Sequence, residues 1–282
     1  MKKYLAILIS ILIITSCDVE EGPFITGSNT YVNPDKKVLI EDFTGHKCPN
    51  CPGAARELDA IHNIYGDQII GMAIHVGSFA EPNPIGNSFD YDFRTNWGDV
   101  LDNSFGNISD ALPRGMVNRV GYPDNHKLGK GEWATTVANE LKKEIDFKIH
   151  ISSDENSIYI TSKVQKDLNS NYNLVVCLTE SNIINWQKDN DSPLGDVEDY
   201  EHNHVLRTAL IDQALSGSTN YVADQEIENT INYDLVALEQ SNRDYSVSLG
   251  GNDIPGNWDA ANMSIIAYIY NTNTKEIVQV EE

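Results

Sequence analysis

Hydrophobic and polar positions follow two different periods along this chain. Through about residue 145, short apolar runs alternate with stretches whose apolar residues recur three and four positions apart. Beyond it the period falls to two. Residues 38–43 form the first strand-like run. After Cys51, the positions Ala54, Leu58, Ile61, Ile64 and Tyr65 mark one face of a helix that Gly66-Asp67 stops. Residues 68–76 form a second apolar run of strand length, so strand, helix and strand make a βαβ unit with parallel strands. Residues 77–90, with Pro82, Pro84 and Gly86, are loop. Residues 91–105 carry a helical pattern through Phe93, Trp97, Val100 and Leu101. Residues 133–145 carry another through Trp133, Val137, Leu141 and Ile145. From Asp146 onward, residues 147–151 and 157–164 alternate across the turn Asp154-Glu155-Asn156. Further strands are expected at 173–179, 203–211, 226–238, 261–270 and 274–280. That succession of short alternating strands reads as a β-sandwich, immunoglobulin-like in type.

Chemistry concentrates where the first strand ends. Gly45-His46-Lys47-Cys48-Pro49-Asn50-Cys51 joins it to the helix, and strand, loop, Cys-x-x-Cys and helix in that order is a redox arrangement. A cysteine at a helix start lies near unpaired backbone N–H groups and the positive end of the dipole, which favours its thiolate. A second cysteine three residues on shares the helix face and can close a disulfide with the first. Lys47 beside Cys48 favours the thiolate further.

The N-terminus changes the picture of location. Lys2 and Lys3 precede an apolar run over residues 5–15, too short to span a bilayer comfortably. It ends in Ile14-Thr15-Ser16-Cys17, which resembles the bacterial lipobox, in which the cysteine is lipidated and becomes the first mature residue. An ordinary signal peptide or an uncleaved anchor accounts for the same run. No other stretch is apolar enough to cross a membrane. Residues 1–17 are therefore read as a lipoprotein signal peptide and 18–34, rich in Gly, Pro and Asn, as a tether. Asp18, Glu20 and Glu21 follow Cys17 at once and suit either a surface-export signal or a solvated linker.

The formal net charge is −22 over 282 residues. So acidic a chain argues against nucleic acid as a partner, which needs basic patches. Of four cysteines, Cys17 belongs to the lipobox and Cys177 lies in a buried-strand pattern. One disulfide cannot be the framework of a chain this long, so the Cys48/Cys51 pair is read as chemical rather than structural.

With these motifs in place, residues 35–145 resemble a thioredoxin-like domain carrying a helical insertion. Asp42, six residues before Cys48, matches the buried acid that assists proton transfer from the second cysteine, and Phe43 matches the residue after it. Leu112-Pro113 matches the cis-proline loop that faces the disulfide. Lys47 replaces the usual tryptophan, and Pro49-Asn50 replaces Gly-Pro. The whole layout, with Leu112-Pro113-Arg114-Gly115-Met116-Val117-Asn118-Arg119 and His202-Asn203-His204-Val205-Leu206-Arg207, resembles the outer-membrane-protein-28 family of bacterial lipoproteins. The fold expected is thus α/β plus β, a thioredoxin-like domain over 35–145 followed by an immunoglobulin-like β-sandwich over 146–282.

The function this implies is a lipid-anchored thiol–disulfide oxidoreductase at the outer membrane or cell surface, the periplasmic face included. It would act on envelope proteins or a redox partner without a cofactor. Cys48 attacks, Cys51 resolves, Pro113 shapes the substrate groove and Asp42 accepts the proton. One alternative is a surface binding or adhesion lipoprotein that uses the thioredoxin-like part as scaffold. The other is a copper or zinc protein built on His46 with the cysteine pair. His202 and His204 on one strand face could pair on a metal, and the acids Asp189, Asp191, Asp196, Glu198, Asp199 and Glu201 could hold calcium, although their spacing is not that of an EF-hand. A polar strand and a solvated acidic loop are the simpler and preferred readings of the two sets. The sequence holds no P-loop, GxGxxG after a strand, GxSxG or HExxH.

Overall fold

The strand that leads to the cysteines, β1 (Val38–Thr44), is buried at all seven positions, so both of its faces are covered. The computed structural model describes residues 32–252 and 257–282. Cys17, the leader and most of the tether lie outside them. In chain order the elements are β1, α1 (Pro52–Tyr65), β2 (Ile69–His75), α2 (Asn96–Ser104), β3 (Arg114–Val117) and α3 (Lys130–Glu140). There follow β4 (Phe147–Ser153), β5 (Ser157–Val164), β6 (Leu168–Asn169), β7 (Tyr172–Glu180), β8 (Ile183–Lys188) and β9 (Asp196–His202). The chain ends with β10 (Val205–Ala214), β11 (Asn220–Tyr221), β12 (Glu226–Asn232), α4 (Leu235–Ser248), β13 (Met263–Asn271) and β14 (Ile277–Glu281).

Seven strands form one mixed sheet in the order β14-β13-β7-β10-β2-β1-β3. β1 and β2 are parallel, β3 is antiparallel to β1, and β10 joins β2 at Val205 and Ala73. The border expected near residue 145 therefore falls inside a continuous sheet, with β1–β3 from one side of it and β7, β10, β13 and β14 from the other. Side-chain alternation sorts the cores. Val38 and Ile40 of β1 pack with Ala54, Leu58 and Ile61 of α1 and with Trp133 and Val137 of α3. Leu39 and Phe43 point the other way, to a core shared with Leu101 of α2, Cys177 of β7 and Tyr268 of β13.

Residues 146–282 do not close on themselves as a separate sandwich. β4, β5 and β12 form a three-stranded sheet, and its Phe147, Ile149, Ile158 and Ile160 pack on Leu174, Val176 and Ile269 of the large sheet. Two sheets do face each other, but one of them is common to both halves of the chain.

Four local expectations change. The helix expected over 91–105 forms only from Asn96, where the Thr95 side chain accepts a hydrogen bond from Gly98 N–H and caps it. The helix expected over 133–145 begins at Lys130 and ends at Glu140. The strand expected through 238 stops at Asn232, and Leu235–Ser248 is a helix capped by Asp234, which accepts from the N–H groups of Val236 and Ala237. Finally, the strand expected over 203–211 starts at Val205, and the chain before it forms the hairpin of β8 and β9, which pair only with each other.

Candidate functional site

β1 carries Asp42 and Thr44 at its C-terminal end, and the chain then turns through Gly45 to the cysteines. A Cβ at Gly45 would lie 2.6 Å from the backbone carbon and oxygen of Phe79, so this turn requires glycine. Cys48 and Cys51 are joined by a disulfide with Cα atoms 5.4 Å apart. Pro52 is the first residue of α1, where its missing N–H costs nothing, and Cys51 is the cap. The cap position thus belongs to the second cysteine, with Cys48 one turn earlier. Both are deeply buried, at 1 % and 2 % exposure.

Asp42 lies on the face of β1 that α1 covers. It is 3 % exposed and its Oδ1 has no hydrogen-bond partner. Burial alone holds its carboxyl well above the ordinary carboxylate range. Asp42 and Cys51 border one cavity of about 40 Å³, together with Thr44, His75, Gln187 and His202. That is room for at least one water molecule. The buried acid and the second cysteine thus line the same small chamber.

The roof of this chamber is the β8–β9 hairpin, which sequence reasoning did not place there. Lys188 N–H donates to His46 O at 2.8 Å and Asn190 N–H to Pro49 O at 2.9 Å. The Gln187 side chain donates to Cys48 O at 3.1 Å. Asp189 accepts from Arg56 of α1 at 2.9 Å, and Asp191 meets the same guanidinium. Behind the hairpin three imidazoles surround Phe93. His75 and His202 have ring centroids 4.5 Å from it, and His46 5.6 Å. Burial keeps all three neutral, with His46 lowered to about 3, His202 to about 4 and His75 well below the ordinary value. Neither ring nitrogen of His75 has a partner. Tyr200 of β9 also lines the chamber, its hydroxyl pushed up by burial to about 12.

The remaining predicted residues fall as follows. Pro113 is half-buried and directly precedes β3, whose Arg114 pairs with Phe43, so it sits at the end of β1 from which the cysteine loop departs. The Leu112–Pro113 peptide is cis. Lys47 donates to Asn83 Oδ1 at 2.9 Å. His202 and His204 do not share a strand face. His202 ends β9 inside the aromatic cluster, whereas His204 lies between strands at φ 55° beside Gly71 of β2. Asp189 and Asp191 are held by Arg56, and Asp196 by Lys188 at 3.1 Å. Among the described residues no group of three His, Cys, Asp or Glu side chains is placed to hold a metal ion. Cys177 is a free, fully buried thiol, as its strand pattern suggests. His75, Gln187 and Tyr200 are the site residues that sequence reasoning missed. The only local signal was a titratable residue, His75, closing an apolar strand in register with Thr44.

A family model described as outer membrane protein Omp28 matches residues 99–282. The chain belongs to this family. Its name places the Omp28-family chain in the cell envelope, and among the described residues no helix is long and apolar enough to cross a membrane. The match begins after the cysteines, so membership says nothing about the disulfide. No curated protein matches this Omp28-family chain. HBP35 of Porphyromonas gingivalis is similar in structure, with 15 % identity, 87 % of this chain and 74 % of that one covered, and a TM-score of 0.57. Protein AGR_C_4864 from Agrobacterium tumefaciens is similar at 12 % identity, 87 % and 93 % coverage and a TM-score of 0.51. A domain of the outer membrane lipoprotein Omp28 from Porphyromonas gingivalis covers 49 % of this chain and 86 % of its own length, with 16 % identity and a TM-score of 0.24. The first two likenesses concern fold alone.

Proposed function

We propose that this chain is a thiol–disulfide oxidoreductase of the cell envelope, anchored by lipid on Cys17 and thioredoxin-like over residues 35–145. The observation that carries the reading is the Cys48–Cys51 disulfide at the start of α1, sharing a chamber with the buried, uncharged Asp42. The strand order β2-β1-β3 with β3 antiparallel, and α1 directly after the cysteine loop, supports it. A partner thiolate attacks Cys48 Sγ, the S–S bond breaks, and Cys51 leaves as a thiolate that takes the Asp42 proton. The partner's second thiolate then attacks the mixed disulfide and releases Cys48. The partner loses two electrons and the Cys48/Cys51 pair gains them. The reverse sequence oxidises a partner, with Asp42 as the proton acceptor.

Alkylation of the reduced protein against pH tests this. Cys48 is expected to titrate below the roughly 8.5 of a free thiol, and Cys51→Ser to retain a partner protein as a mixed disulfide. Ordinary thiol titration without turnover of a model protein disulfide would overturn the proposal.

The 1 % and 2 % exposure of the cysteines favours a second reading, a binding lipoprotein in which the disulfide is structural. Replacing both cysteines by serine separates the two, because a binding protein would keep its phenotype.

A further inference from the structure

The β8–β9 hairpin occupies the place an incoming polypeptide would need. The two strands belong to no larger sheet, and a lone two-stranded hairpin is marginal in water. Its two connections to the large sheet pass through residues in the left-handed region, Asn182 at φ 59° and His204 at φ 55°. It is therefore a separate small sheet laid over the cysteine loop; its contacts to that loop are polar, while Trp186 and His202 pack on Phe89 and Phe93 behind it. Lys188, the last residue of β8, and Asn190, in the turn after it, present their N–H groups to the cysteine loop from one edge of the hairpin. That edge donates to His46 O and Pro49 O, while Gln187 reaches Cys48 O. The loop around Cys48 thus offers carbonyl acceptors in a row, and the chain's own hairpin fills them. Arg56 latches the arrangement to α1 through Asp189 and Asp191.

We propose that the β8–β9 hairpin is an internal stand-in for substrate, displaced by an extended polypeptide that donates its own N–H groups to the His46 and Pro49 carbonyls. Displacement uncovers the sulfurs, and closure shields the disulfide from small thiols. The idea deepens the oxidoreductase reading and rests on it for the reaction that follows opening, not for the cover itself.

The test measures the rate at which a water-soluble phosphine reduces the disulfide in the full-length, detergent-solubilised chain. The phosphine and water become phosphine oxide as the two thiols form. Arg56→Gln removes the latch and is expected to raise the rate about two- to fivefold. Asp191→Asn, at an exposed carboxylate, should raise it less, and 1 M salt should accelerate the unaltered protein by screening the same pairs. A synthetic peptide copying residues 185–191 should slow the opened Arg56→Gln protein toward the unaltered rate. Unchanged rates across variants and salt would overturn the cover, and a peptide without effect would overturn polypeptide docking. Insulin turnover in the same samples keeps the readings apart. Turnover with unchanged phosphine rates removes the hairpin proposal alone. Faster phosphine attack with no turnover in any sample retains the cover and removes the oxidoreductase.

Discussion

At the scale of single residues, the site is defined by groups kept uncharged against their ordinary chemistry. Asp42 has its folded pKa raised by burial, so from about its ordinary value of 3.8 upward the folded chain holds a proton that the unfolded chain releases. Stability from this group is lost as pH rises through that window. Asp42→Asn should therefore gain on the unaltered protein as pH rises above about 4, seen as a widening difference in melting temperature between the two. A constant difference would mean that the carboxyl is ionised in place. The histidines run the other way. His46 and His202 have folded values near 3 and 4 against an ordinary 6.5. The stability they contribute is complete above 6.5 and lost as pH falls toward those values. His202→Phe should lessen acid destabilisation between pH 6.5 and 4 in thermal melts, with little change at pH 8.

Among the elements, those with strong local signals are the ones the chain announces. The run of β1, the alternate spacing of Ala54, Leu58 and Ile61 in α1 and the two-residue period of β4 and β5 each follow from which face must be buried. α4 escaped because its fully buried residues are polar and only Leu235 and Leu238 bring apolar surface to the core. Asn242 and Ser246 are buried while Val236 and Val247 are exposed, so its apolar period does not mark a face. Its legible signal was the cap. Asp234→Ala should destabilise the protein by about 1 kcal/mol, seen as a lower urea midpoint. No change would mean that packing of the helix, not its cap, sets its stability. The hairpin was hidden for a similar reason, since residues 189–201 are acidic and read as solvated loop. Arg56, distant in sequence, ties Asp189 and Asp191 to α1.

For the whole molecule, one buried ion pair shows why the two halves of the chain are not independent. Arg119 donates to Glu41 at 2.6 and 2.8 Å and to the Tyr268 hydroxyl at 2.9 Å, joining β1 to β13 across the core. Arg119→Ala would leave Glu41 buried without its partner and should cost about 3–5 kcal/mol, read from equilibrium unfolding. A much smaller loss would show that the carboxylate finds water. The order of strands also explains why the cysteines are covered. β10 docks beside β2 through Val205 and Ala73, and the hairpin just before it is thereby delivered to the cysteine loop. The cysteine pair, the acid six residues earlier, the first βαβ unit and the alternation after residue 146 were determined by the sequence itself, because each depends on neighbours within a turn or a strand. That strands from both halves share a sheet, that His75 and Tyr200 meet Asp42, and that a hairpin closes over the disulfide were decided only in three dimensions. Those outcomes depend on contacts between segments far apart in the chain, which no local period encodes.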